Sequence, residues 1–110
     1  MLMKRATPPV NVYEGNGQLS VVIPVPGAHP DHIDLVVDAA SLRLAAECKY
    51  PQESQHYLRR DWQVGSWHAE VDLPRRIDPA RSRATLNFGV LVLMAPLSET
   101  AGGERRPTVE

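Results

Sequence analysis

The sequence has few cysteines and few aromatic residues, and its charges almost cancel. Cys48 is the only cysteine among 110 residues, which excludes an internal disulfide framework and a zinc site built from several cysteines. Twelve basic and thirteen acidic side chains give a formal charge of −1, so there is no overall basic field to attract nucleic acid. We therefore expect a buried, inert thiol at Cys48 and no nucleic-acid partner.

Long apolar runs are missing as well. No stretch approaches the roughly 20 residues that a membrane-spanning helix requires. The opening "MLMKRATPP" has no apolar core long enough for a signal peptide. The sequence predicts a cytoplasmic protein with no membrane partner. A chain of this length fits one domain, whose high surface-to-volume ratio makes association with a second copy favourable.

The sequence does contain a repeated alternation of apolar and polar residues with a period of two. This period is typical of strands that bury one face. It predicts eight strands, at residues 10–14, 18–25, 32–38, 42–48, 56–62, 66–74, 83–88 and 90–95. Leu42, Ala45 and Ala46 also match helical spacing, so a short helix is the alternative for 42–48. The link "EGNGQ" has the residues of a hairpin turn.

Short strands separated by turn residues, with little helix, predict an all-β fold. We expect an antiparallel, immunoglobulin-like β-sandwich. Residues 90–94 are apolar at every position, which is typical of a strand covered on both faces. Residues 56–62 have no clear apolar face, so their pairing partner is expected outside their own sheet. Residues 74–82 are expected to form a loop with one helical turn.

Four segments, taken in their order, resemble the α-crystallin domain of small heat-shock proteins, over residues 8–97. They are Pro26-Gly27 at the end of an early strand, the strand pair 31–44, "GSWHAEVDLP" at 65–74, and "ATLNFGVL" at 84–91. Three positions depart from the family pattern. Trp67 replaces a phenylalanine, Ala69 stands where an arginine is typical, and Phe88 stands where the family has Asn or Asp. Phe88 either enters the core or forms an exposed apolar spot.

The resemblance implies a function and a domain organisation. Proteins of this family are ATP-independent holdases of the stress response, which bind unfolding client proteins without a cofactor. The chain then divides into a short N-terminal extension (1–8), an α-crystallin domain (9–97) and a disordered C-terminal tail (98–110). The function predicted is that of a non-enzymatic chaperone.

The resemblance also implies a homodimer formed by strand exchange. In the bacterial type, a strand in the long loop, here within 49–64, pairs with the first strand of a partner subunit. The candidates are residues 56–61 of one chain and 10–14 of the other, an exchange that would satisfy backbone groups left open at a sheet edge. The predicted interface residues are Val10, Val12, Tyr13, Tyr57, Arg59 and Asp61.

A groove between two strands is the predicted client site. Its predicted lining is Ile33, Leu35, Val37, Ala84, Leu86 and Phe88. In the family, a C-terminal anchor with two spaced aliphatic residues docks in this groove, and a long N-terminal arm supports large assemblies. The end "RRPTVE" offers only Val109. We therefore expect neither arm nor anchor, an open groove, and no large oligomer.

Other chemistry is not supported by the residue pattern. His29 and His32 have a spacing that suits a metal, but no third or fourth ligand accompanies them, so no metal is expected. No nucleophile, base and orienting residue occur in order, so no enzyme is expected. An adaptor that binds one specific protein, as the CS domains of co-chaperones do, remains the alternative to a general holdase.

Overall fold

The chain forms two antiparallel sheets of four strands each. The structure, a computed structural model, describes residues 7–48, 54–61 and 65–110. The strands are β1 (Asn11–Gly15), β2 (Gln18–Pro24), β3 (Ile33–Asp38), β4 (Ser41–Ala46), β5 (Trp67–Asp72), β6 (Arg83–Asn87), β7 (Val90–Pro96) and β8 (Glu104–Arg105). Their orders are β1-β2-β7-β6 and β5-β4-β3-β8. The predicted all-β sandwich is confirmed.

One core lies between the inner faces of the two sheets. Its largest fully buried aliphatic side chains are Val21, Ile23, Val25, Val37, Leu42, Leu44, Ile77, Leu91 and Leu93. Along β4 the buried Leu42 and Leu44 alternate with the exposed Arg43, which is the burial pattern of a strand. The helical alternative for this segment is therefore wrong. Two 3-10 turns, Pro30–His32 and Pro79–Arg81, complete the described elements.

The outer face of β7 differs from the prediction. Leu91 and Leu93 are buried, whereas Val90 and Val92 are half-buried and Met94 is 44% exposed. The expectation that both faces of this strand are covered is wrong for the single chain. Only its inner face lies against the core.

The C-terminal segment also differs from the prediction of disorder. Arg105 and Glu104 in β8 pair with Val37 and Asp38 at the edge of β3. Further along, Val109 forms a parallel bridge with Ala84 of β6. Low apolar content suggested a free tail, but backbone pairing with two sheet edges orders it here. The eighth strand is thus β8, whereas residues 54–61 belong to no strand and Trp62 lies outside the described residues.

Two hairpins close with the same tight turn. Asn16 and Gly17 have φ of 55° and 75°, and Phe88 and Gly89 have φ of 51° and 77°. Positive φ at both central residues is the type I′ geometry that matches the twist of the adjoining strands. A side chain at Gly89 would also place its Cβ 3.3 Å from the Cα of Pro26, which is a tight contact, so the turn favours glycine there for two reasons.

Candidate binding surfaces

The predicted groove lies where the edges of the two sheets meet, between β3 and β6. Leu35, Val37 and Ala84 are buried in the core, and Ile33 and Leu86 are half-buried against it. Phe88 does not join them. It lies at the β6–β7 turn with full exposure to solvent, so it lines no groove.

The C-terminal segment covers this groove. Pro107 is buried and Val109 packs against the core. The Glu110 amide donates to the Ala84 carbonyl at 3.0 Å, and the Leu86 amide donates to the Glu110 carbonyl at 2.7 Å. The prediction of an open groove is therefore wrong. The missed signal is Pro107, which with Val109 gives two apolar residues at alternate positions of an extended segment.

Charged side chains add contacts along the same segment. Arg106 pairs with Asp34, and Arg43 lies 3.9 Å from Glu104. The Arg105 guanidinium donates to the Ala80 carbonyl at 2.7 Å. Because these side chains are exposed, each ion pair contributes little to stability. The segment is held mainly by its backbone hydrogen bonds and by the packing of Pro107 and Val109.

The predicted dimer residues lie in two separate regions. Val10 and Val12 pack against the core, and Tyr13 is 58% exposed on β1, which pairs only with β2 in the part of the chain that the structure describes. The other three residues are Tyr57, Arg59 and Asp61. The Arg59 guanidinium donates to the Asp61 carboxylate at 2.9 Å. The neighbouring Leu58 is 93% exposed, so segment 54–61 presents an apolar side chain to solvent.

The two residues of β5 that depart from the family pattern are both buried. Trp67 is buried, and its indole Nε1 donates to the Pro26 carbonyl at 3.0 Å, which ties β5 to the end of β2. Ala69 is buried opposite Leu44 of β4. Cys48 is buried, as predicted from the sequence.

Asp38, at the turn between β3 and β4, has a pKa below its ordinary value. Its carboxylate accepts from the amides of Ala40 at 2.8 Å and Ser41 at 2.7 Å, and from the Ser41 hydroxyl at 2.8 Å. The hydrogen bond from Ala40 lowers the pKa of Asp38 most, with Ser41 and the nearby Arg43 acting in the same direction against partial burial. These contacts fix the β3–β4 turn, so this carboxylate has a structural role.

The rings of His29 and His32 lie 5.7 Å apart, but within residues 7–48, 54–61 and 65–110 no three His, Cys, Asp or Glu side chains cluster as metal ligands. None of the helices in these ranges has the length and apolar content to cross a membrane.

The fold and its edges define an α-crystallin-type β-sandwich with a C-terminal segment docked across the edges of both sheets. The model of the Hsp20/alpha crystallin family matches residues 11–109. The chain therefore belongs to this family of small heat shock proteins, and the resemblance stated from the sequence is confirmed.

The chain is also similar to individual small heat-shock proteins. The chain is 22% identical to Small heat shock protein C4 of Rickettsia felis over 104 residues, which are 93% of this chain and 64% of that protein. A small heat-shock protein structure from Xylella fastidiosa has 28% identity and a TM-score of 0.73, over 97% of this chain and 99% of that one. The hspA structure from Xanthomonas axonopodis has 24% identity and a TM-score of 0.76, over 89% and 100%.

Proposed function

We propose that this protein is an ATP-independent holdase that binds partly unfolded proteins and suppresses their aggregation in the cytoplasm. Membership of the Hsp20/alpha crystallin family is the observation that carries this proposal. It is supported by large apolar side chains left in contact with solvent, namely Tyr13, Leu58, Phe88 and Met94. An unfolding protein exposes apolar side chains that gain free energy when they cover such positions.

Two kinds of surface suit such clients. Among the described residues β1 pairs with β2 alone, so its outer edge can add an extended client segment as a further strand. The groove between β3 and β6 becomes available when Pro107 and Val109 leave it. Both modes need only binding energy, so the mechanism requires no nucleotide, no cofactor and no catalytic residue.

A homodimer formed by strand exchange is part of the proposal. Residues 56–61 of one chain would pair with β1 of the second chain. The exposure of Leu58 and the absence of strand pairing anywhere in 54–61 favour this arrangement. The exchange would cover the outer edge of β1 in each of the two chains. Covering such an edge is a general reason for edge strands to associate.

The test is light scattering from a heat-aggregating enzyme, with and without the protein. We expect suppression near an equimolar ratio, with no added ATP, and no suppression by an equal mass of serum albumin. Unchanged scattering at a stoichiometric excess would contradict the holdase.

An adaptor for one specific protein is the alternative function. The observation that favours it is the covered groove, because a docked C-terminal segment leaves less apolar surface for clients in general. Affinity capture separates the two functions. One dominant partner together with no anti-aggregation activity would indicate the adaptor, and many partners that increase in number after heat shock would indicate the holdase.

A further inference from the structure

The outer face of the β1-β2-β7-β6 sheet is unusually apolar for a surface in contact with water. In a sandwich, the outward residues of each strand are generally polar. Here β7 directs Val90, Val92 and Met94 outward, and Val22 of β2 lies beside Val92. Nothing else in the described parts of the chain packs over Met94, which stays 44% exposed.

This face contains a cleft of about 450 Å³ with an apolar floor and two arginines. The floor consists of Val92, Met94 and Pro96. Arg83 lies directly opposite Met94 in the β6–β7 register. Arg81, two residues before Arg83 in the sequence, also lines the cleft. Gln18 and Thr85 complete the lining.

The positive charge of this cleft is not neutralised from within. The cleft lining has no carboxylate. Glu110 lines a neighbouring cavity with Arg83, but over the described ranges neither Arg81 nor Arg83 has an ion-pair partner within 4.0 Å. Two unpaired guanidiniums beside an apolar floor favour a ligand that is both anionic and apolar.

We propose that this cleft binds an extended peptide segment with carboxylates at alternate positions, next to apolar side chains. Ser82, between the two arginines, has an extended backbone (φ −73°, ψ 147°), so Arg81 and Arg83 are separated by two steps of roughly 3.3 Å. Carboxylates at alternate positions of an extended peptide have the same separation. Each guanidinium can therefore meet one carboxylate while apolar residues of the peptide cover Val92 and Met94.

Charge also argues against the chain's own N-terminal residues as the occupant. The segment "MLMKRA" has apolar residues but also Lys4 and Arg5 and no carboxylate side chain, so like charges would oppose its docking beside Arg81 and Arg83. The proposal does not depend on holdase activity. A protein that fails to suppress aggregation could still bind the acidic peptide here. Conversely, a protein that suppresses aggregation could fail to bind the peptide, so the two experiments separate the two proposals.

The experiment is fluorescence anisotropy with a labelled peptide that has aspartates at alternate positions followed by leucines. We expect the double variant Arg81→Gln, Arg83→Gln to bind it about fivefold more weakly, because two exposed charge pairs are lost. The control Arg43→Gln removes a charge from the opposite sheet and should leave the affinity unchanged. A matched peptide with asparagines should bind the unsubstituted protein about as weakly as the aspartate peptide binds the double variant.

Charge reversal gives the sharper result. The variant Arg81→Glu, Arg83→Glu should prefer a peptide with lysines at the alternate positions, and circular dichroism should show an unchanged fold because both side chains are exposed. Equal affinity for the aspartate and asparagine peptides would overturn the proposal, as would unchanged binding by both double variants. Inorganic phosphate that competes as strongly as the peptide would instead indicate a site for small anions.

Discussion

Phe88 occupies a backbone conformation that favours glycine or asparagine. Its φ of 51° places it in the left-handed region, and its side chain is fully exposed. Phe88→Asn should raise the free energy of unfolding by about 0.5–1 kcal/mol, because asparagine tolerates this conformation better and no burial is lost. Chemical denaturation measures the change. A less stable variant would show that Phe88 makes a stabilising contact. Phe88→Ala, which removes the ring but keeps an L side chain at the same positive φ, controls for the loss of an exposed ring.

Asp38 should make stability depend on pH in the acid range. Since the folded-state pKa lies below its ordinary value of 3.8, the stabilisation is fully present above that value and is lost as the pH falls through the folded-state pKa. Asp38→Asn should lower the free energy of unfolding by about 1 kcal/mol at neutral pH. Between roughly pH 5 and pH 2, the stability of this variant should fall less than that of the unsubstituted protein. Urea titrations across this range test it, with Asp72→Asn as the control for loss of one charge. Parallel curves would contradict the assignment.

At single positions, the sequence predicts burial better than it predicts orientation at turns. The period of two identifies Leu35, Leu42 and Leu44 as core residues, because every second side chain of a strand lies on one face. It leaves open whether Phe88 enters the core. That outcome depends on the turn type, since a type I′ turn directs this side chain away from both sheets.

The C-terminal segment provides a prediction for a whole element. Val109→Asp should release this segment from β6, since the half-buried Val109 packs against the core and a carboxylate there would lose hydration. Hydrogen exchange of the Leu86 amide, which donates to the Glu110 carbonyl, should then become faster. Thr108→Asp is the matched control, because Thr108 is exposed and the same charge is added one position away. Equal protection of Leu86 in both variants would contradict the docked arrangement.

Strands with regular alternation could be predicted closely, whereas the elements that depend on backbone pairing could not. β3 and β6 begin at the predicted positions or one residue away. The two-residue β8 has no alternation to detect, and it is ordered by the open edge of β3 rather than by its own composition. Residues 56–61 were predicted as a strand, but in the single chain they have no strand partner.

The assembled protein should be a dimer. Multi-angle light scattering at micromolar concentration should give a mass near twice the 12.2 kDa of one chain, because the outer edge of β1 and residues 56–61, which belong to no strand of the described chain, can pair as strands between two copies. Leu58→Asp should weaken the pairing between the two chains. The measured mass should then fall towards that of one folded chain. A monomer for the unsubstituted protein would contradict strand exchange.

The order of strands in the first sheet has a consequence for how the chain folds. Its two central strands, β2 and β7, come from opposite ends of the domain, with Gln18 opposite Pro96 and Pro24 opposite Val90. The hairpins β1–β2, β3–β4 and β6–β7 can close locally and early, but the seam between β2 and β7 requires closure of a long loop. We expect refolding on a timescale of milliseconds to seconds. During that interval the apolar inner faces of the hairpins that have already formed are exposed to solvent. Refolding is therefore the period when this chain is itself most prone to self-association.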